Sequence, residues 1–227
     1  ASKKYDRRSM SFEEALGRSV NPVFARIALQ HLDRETIRRY TDAFGFNSTL
    51  DFDLNLPVSS ANIPGDAYGL ARTAAGFGKV TITPIHAVTL MSAIANGGFL
   101  PRPSVLERIA SPDGLSLHEF ESVVLGRVLR ASTAETLMDM MESTVTVGTS
   151  KKYFFKGKRP LLPGVRVAAK TGTLKGKNPT GTTRWFVGAA PIENPSIALA
   201  IVVVDTRRPY YGPSRLAQNV MNRYLKS

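Results

Sequence analysis

Cysteine is absent from the 227 residues, which excludes disulfides and thiolate-held metals and leaves the redox compartment unreadable. Histidine is scarce. His31, His86 and His118 stand far apart without metal-ligand spacing, so each reads as a surface or core residue, and neither a metal nor a cofactor is expected. No apolar run approaches the roughly 18 residues of a membrane-crossing helix. The first ten residues, ASKKYDRRSM, also lack the apolar core of a secretion signal. Acidic residues are the minority, 18 against 30 Lys and Arg, for a net charge of +12. Such a surface attracts polyanions, whether nucleic acid, an anionic membrane face or an acidic wall polymer. The basic residues are spread out, at Lys3, Lys4, Arg7, Arg8, Arg38, Arg39, Lys151, Lys152, Lys156, Lys158, Arg207 and Arg208. No zinc finger and no aromatic-and-basic strand signature accompanies them. Nucleic acid is therefore not expected as a partner.

What is present is ordinary for a globular chain, with 43% hydrophobic and 21% charged residues and enough length to bury a core. The first half reads as helical. SFEEALGRSVNPVFARIALQHL holds two amphipathic pieces broken at Asn21-Pro22, because proline suits a first helical turn better than a helix interior. Asp33 can cap the next helix and Gly45 can end it. Residues 47–66, rich in Asn, Asp, Ser and Pro, read as a surface excursion. Thr83-Pro84 starts a buried helix with Ile85, Val88, Met91 and Ala95 along one stripe and Gly97-Gly98 closing it. A Pro-Asp-Gly turn at 112–114 suggests a hairpin. Ser132 and Glu135 have the spacing of a capping box, ahead of a helix with Leu137, Met140, Met141 and Val145 on its inner face.

The last third changes period. GVRVAAKTGT, RWFVGAAP and SIALAIVVVD are strand-like, and LKGKNPTG between the first two resembles a hairpin loop. SIALAIVVVD is apolar on both faces and should lie inside the sheet. PSRLAQNVMNRYLK closes the chain as an amphipathic helix. Strands joined by short turns pair antiparallel, so the fold class is α+β, an antiparallel β-sheet flanked by helices.

Two short motifs could carry chemistry. Lys170-Thr171-Gly172-Thr173 follows an apolar strand. The glycine leaves room for another backbone or a ligand. The hydroxyls can donate to a carboxylate, and the Thr173 N–H could face an oxyanion. Ser19-Val20-Asn21 lies at a helix break, where a hydroxyl and a carboxamide can project together. Ser60-Ala61-Asn62 matches the same spacing, so spacing does not choose between them.

Ser-x-Asn at Ser19 and Asn21, followed about 150 residues later by Lys-Thr-Gly at Lys170 to Gly172, resembles the penicillin-recognising serine transpeptidases. The stretches FGKVTITPIHAVTLMSAIANGGFLPRPSV, LMDMMESTVTVGTSKKYF and AAKTGT…RWFVGAAP resemble further blocks of that family in the same order. The resemblance implies a penicillin-binding, serine β-lactamase-like transpeptidase fold, incomplete at the N-terminus. Residues 1–227 would be the C-terminal part of one transpeptidase domain. A mainly helical part would run to about residue 150, and the sheet strands with the terminal helix would follow.

The same resemblance implies roles. Ser19 would shuttle protons to the leaving nitrogen. Asn21 would hold the substrate's amide backbone and help orient the catalytic lysine. Lys170 would hydrogen-bond Ser19 and make the pocket positive. Thr171 and Thr173 would bind the terminal carboxylate of a D-Ala-D-Ala peptide or of a β-lactam, and the Thr173 N–H would form half of an oxyanion hole. Gly172 would let substrate lie antiparallel to the strand. Peptidoglycan stem peptides and β-lactam antibiotics are the implied ligands, on the extracytoplasmic face of a bacterial cytoplasmic membrane. A segment outside this chain would supply the anchor, and other cell-wall synthesis proteins are candidate partners. The run TPIHAVTLMSAIANGG suits the monofunctional class B type and Trp185 the bifunctional type; the former is the expectation. A D,D-carboxypeptidase, a β-lactamase or a non-catalytic scaffold are the alternatives.

The family's nucleophile motif, Ser-x-x-Lys, does not occur, since no serine is followed by lysine three positions on. The expectation is a fragment of a longer enzyme that does not acylate by itself. Its three C-terminal strands should then lack a covering helix and expose an apolar face.

Overall fold

The computed structural model describes residues 9–177, 180–205 and 211–226. Lys3, Lys4, Arg7, Arg8, Arg207 and Arg208 lie outside the described residues, as do Asn178 and Pro179.

The helical half follows its capping chemistry. Helix α1 (Phe12–Gly17) opens at Ser11, whose hydroxyl accepts the Glu14 N–H at 3.1 Å. Helix α2 (Asn21–His31) carries Asn21-Pro22 in its first turn, where a missing N–H leaves no bond unmade. Helix α3 (Arg34–Ala43) is capped by Asp33, which accepts the Thr36 N–H at 2.7 Å, and Gly45 follows at φ 84°. The excursion at 47–66 is not wholly irregular. Ser60–Asn62 form strand β1, which pairs antiparallel with β2 (Lys79–Thr81) around helix α4 (Ala67–Ala74). A three-residue strand is too short to show alternation against so polar a background.

Helix α5 (Pro84–Ala95) is capped by the Thr83 hydroxyl, which accepts the His86 N–H at 3.2 Å. Of the expected stripe only Met91 is buried; Ile85, Val88 and Ala95 are half-buried, and His86, Ala87, Thr89 and Ala93 are buried instead, because elements pack on more than one of its sides. His86 Nε2 lies 2.8 Å from the Phe44 carbonyl, so it donates, and the ring sits 4.8 Å from that of Phe46. Strand β3 (Phe99–Pro101) leads to the expected hairpin, β4 (Arg108–Ala110) with β5 (Ser116–Glu119), and β6 (Val124–Arg127) returns to β3.

Helix α6 (Ala131–Thr146) corrects the capping-box reading. It starts after Arg130 with no side-chain cap, and Ser132 lies inside the helix, its carbonyl accepting the Thr136 hydroxyl at 2.7 Å. Met141 and Val145 of the expected face are buried, whereas Leu137 and Met140 are half-buried and Ala134 and Met138 take their place at helical spacing. Helix α7 (Lys151–Phe154) and the two-residue strands β7 (Phe155–Lys156) and β8 (Arg159–Pro160) lead into the main sheet.

That sheet consists of β9 (Ala168–Lys177), β10 (Thr180–Ala190) and β11 (Ile197–Asp205), antiparallel in the order β11-β10-β9, followed by helix α8 (Pro213–Tyr224). The first strand starts at Ala168 rather than Gly164. The supposed loop LKGKNPTG is mostly strand, because Thr180 pairs with Lys177 and Gly181 with Gly176. The apolar run of β11 lies at an edge among the described strands, and β10 is central. Apolar residues on both faces of β11 report that helices cover both faces, not that both edges are paired.

Helices do cover the sheet, contrary to the expectation for an isolated fragment. Ala169, Phe186, Ala190 and Leu199 pack against Ala217 and Met221 of α8 and Phe154 of α7. On the opposite face Ala168 and Ala189 pack against Met91 of α5 and Met138 and Met141 of α6. Exposure is confined to the far end of the sheet, where Leu174 and Val204 are each about two-fifths accessible.

Candidate active site

Ser19 lies in the turn between α1 and α2. The Val20 N–H returns to the Ala15 carbonyl at 2.9 Å and the Ser19 N–H to the Leu16 carbonyl at 3.1 Å. Closing the chain this tightly puts Ser19 at φ 54°, a left-handed conformation that crowds any residue with a Cβ. Backbone strain at a polar residue is a reason to look for function there.

The turn is held from below by α6. The Ser143 hydroxyl lies 2.8 Å from the Glu13 carbonyl of α1. Gly17 meets α6 so closely that a Cβ there would lie 2.3 Å from Ser143 Oγ. A Cβ on Gly148 would lie 2.0 Å from the Gly17 carbonyl oxygen, which accepts the Thr149 N–H at 3.1 Å. Two glycines thus let the end of α6 and the end of α1 touch backbone to backbone.

Lys170 comes from β9 and reaches this turn. Its Nζ donates to Ser19 Oγ at 2.9 Å, across 151 positions of sequence, and to the Thr171 carbonyl at 2.7 Å. Burial disfavours the ammonium and pushes its pKa below the ordinary 10.5. Thr171 Oγ1 lies 2.6 Å from Thr149 Oγ1. Lys170 and Gly172 share one face of β9, opposite Val187 and Trp185, whereas Thr171 and Thr173 share the other, opposite Phe186 and Arg184. A Cβ added to Gly172 would meet Trp185 Cβ at 3.6 Å, an ordinary contact, so nothing among the described residues demands glycine there. Beyond β9 no further strand pairs among the described residues. The edge that carries Lys170 to Thr173 is open to another extended backbone.

The structure thus brings Ser19, Lys170 and Thr171 together and puts Gly172 and Thr173 next along the same strand. Asn21 stands at the start of α2, two residues from Ser19, and its side chain bonds no described residue. Lys170 Nζ is held by Ser19 Oγ and the Thr171 carbonyl. The rival Ser60 and Asn62 sit exposed on β1, where the Ser60 hydroxyl pairs with that of Thr81 at 2.7 Å. Sequence reasoning assigned no role to Gly17, Ser143, Gly148 or Thr149. The available signal was Gly148-Thr149 directly after a long helix. Among the described residues no cluster of three or more His, Cys, Asp or Glu could hold a metal ion.

A helical lobe set against a helix-covered antiparallel sheet, with a buried lysine on its edge strand bonded to a serine of that lobe, defines the α+β class of this domain. The chain belongs to the family of the penicillin binding protein transpeptidase domain, whose model matches residues 1–226. It is 27% identical over 201 residues to peptidoglycan D,D-transpeptidase PbpA of Mycolicibacterium smegmatis, covering 87% of this chain and 39% of that protein. It is 29% identical over 202 residues to stage V sporulation protein D of Bacillus subtilis, covering 85% and 30%. The chain therefore spans well under half the length of these curated relatives. Among solved structures, penicillin-binding protein A of M. tuberculosis in an imipenem acyl-enzyme complex superposes with a TM-score of 0.83 at 25% identity, over 97% of this chain and 48% of that one. The D,D-transpeptidase domain of a peptidoglycan glycosyltransferase from Eggerthella lenta gives 0.82 at 26% identity, over 98% and 55%.

Proposed function

We propose that this chain is the C-terminal part of a monofunctional, class B peptidoglycan D,D-transpeptidase, which cross-links stem peptides through an acyl-serine intermediate and is acylated by β-lactams. The observation that carries the reading is the 2.9 Å bond from Lys170 Nζ to Ser19 Oγ beside a strand edge that pairs with no other described strand. Membership of the transpeptidase family supports it, as do relatives named D,D-transpeptidases and a solved neighbour trapped as an acyl-enzyme.

In this mechanism a serine outside these 227 residues attacks the carbonyl of the penultimate D-alanine. The C–N bond breaks as the nitrogen takes a proton from Ser19 Oγ, which regains one from the nucleophile's side. Lys170, desolvated and bonded to Ser19, orients that hydroxyl and supplies positive potential. Asn21 accepts the substrate amide on the helical side of the cleft. The terminal carboxylate lies against the Thr171 and Thr173 hydroxyls, with substrate extended along Gly172. Residues two apart on a strand direct their backbone groups to the same edge. The Thr173 N–H therefore points the same way as the Thr171 carbonyl, where it can donate to the developing oxyanion. In the second half-reaction an amine of another stem peptide attacks the acyl-serine. The domain works at the extracytoplasmic face of the membrane, tethered by a segment outside these residues.

The test is covalent labelling by a fluorescent penicillin. Full-length protein should label at the nucleophilic serine, and Lys170→Ala should slow labelling at least about 100-fold, the usual scale of positioned proton-transfer groups. The 227 residues alone should not label. Undiminished labelling of the Lys170→Ala variant removes this lysine from the mechanism, and no labelling of the full-length protein removes the reading itself.

A further inference from the structure

Thr149 bonds both halves of the candidate site. Its backbone N–H donates to the Gly17 carbonyl at 3.1 Å, two residues before Ser19, and its Oγ1 lies 2.6 Å from Thr171 Oγ1 on β9. Gly148 beside it has no side chain that could hold the two backbones apart. The direction of the hydroxyl pair matters because each hydroxyl has one proton and two lone pairs. If Thr171 donated to Thr149, its proton would be spent inside the protein, and it would turn only lone pairs to an incoming anion. If Thr149 donates, Thr171 accepts and keeps its own proton free, and the two bonds reinforce one another in a chain.

We infer that Thr149 is a positioning residue: its N–H ties the Ser19 turn to the end of α6, and its hydroxyl donates to Thr171 Oγ1, aiming the Thr171 proton at a ligand carboxylate. The inference rests on the proposed function, since it requires Thr171 to receive a carboxylate. Thr149 itself is exposed, so its side chain can change without opening a core cavity.

The experiment measures acylation rates of full-length protein by a penicillin with a free carboxylate and by its neutral ester, and reads the ratio of the two rates. Thr149→Val keeps the shape and the backbone bond but removes the donor. The ratio should fall about fivefold, the size of one ordinary hydrogen bond. Thr149→Ser, which keeps the hydroxyl, should restore it. A ratio unchanged in Thr149→Val overturns the inference, even where both rates drop together, because a merely structural residue would slow both probes alike. Failure of Thr149→Ser to restore the ratio overturns it too. Failure of the underlying functional reading looks different: the unsubstituted protein forms no adduct with either probe, and the inference falls with it.

Discussion

At the scale of single residues, the most informative position is one without a side chain. Gly172 is not crowded by its neighbours, since an added Cβ would touch Trp185 at an ordinary 3.6 Å, and its φ is not left-handed. On the proposed function the glycine serves the ligand that docks against the strand. Gly172→Ala should leave the stability measured by thermal unfolding unchanged or raised by about 0.5 kcal/mol, because glycine weakens strands relative to alanine. The same change should cut penicillin acylation about 100-fold, the cost of displacing a bound ligand by roughly an ångström. A fall in stability that matches the fall in activity would mean that the glycine serves the fold. Ser19 is the converse case. Its left-handed backbone costs stability, and the turn it closes delivers Oγ to Lys170.

At the scale of elements, the decisive contact is α1 on α6. Gly148→Ala would drive a methyl to 2.0 Å from the Gly17 carbonyl oxygen, a backbone atom that cannot rotate away. Overpacking of this kind costs about 1–3 kcal/mol. The variant should show a lowered urea midpoint together with slowed acylation, since the Ser19 turn moves with α1. Set beside Gly172→Ala, which loses only activity, this separates a glycine needed for packing from one needed for a ligand. The helical lobe was legible because its caps are local: Asp33 and Thr83 each bond an N–H three residues on, within reach of sequence pattern. The capping box at Ser132 and Glu135 failed for the same reason. Local spacing permits a cap but does not oblige the chain to start the helix there, and the packing of Ala134, Met138 and Met141 started it earlier.

At the scale of the whole molecule, distant segments are tied by a few polar hubs. Asp53, in the loop before β1, receives the Ser104 hydroxyl, the Val105 N–H and Arg102 from the far side of α5. These partners, the Ser104 hydroxyl foremost, hold its pKa down to about 2 from 3.8. Because the folded-state value lies below the unfolded one, this stabilisation is present in full above pH 3.8 and is lost as pH falls towards about 2. Asp53→Asn should therefore flatten the loss of stability over that window, as measured by acid titration of the circular dichroism signal. Arg166 is a second hub, joining Asp139 and Glu142 of α6 to Glu193 between β10 and β11. The charge of +12 belongs to this scale as well, as a field that attracts polyanions and weakens with salt.

The sequence by itself determined the α+β class, the helix-to-strand order, the break at Asn21-Pro22 and the two motifs, because each depends on neighbours a few residues apart. Spacing alone did not separate Ser19 from Ser60; the helix break around Ser19 and the order of the family's blocks favoured Ser19. The tertiary structure supplied the contact itself, closing 151 residues of chain so that Lys170 meets Ser19. It also decided which strand is central, that Gly17 and Gly148 join α1 to the end of α6, and that Thr149 ties that junction to β9. Those facts depend on contacts between segments far apart in the chain, and local spacing holds no record of which distant surface a residue will meet.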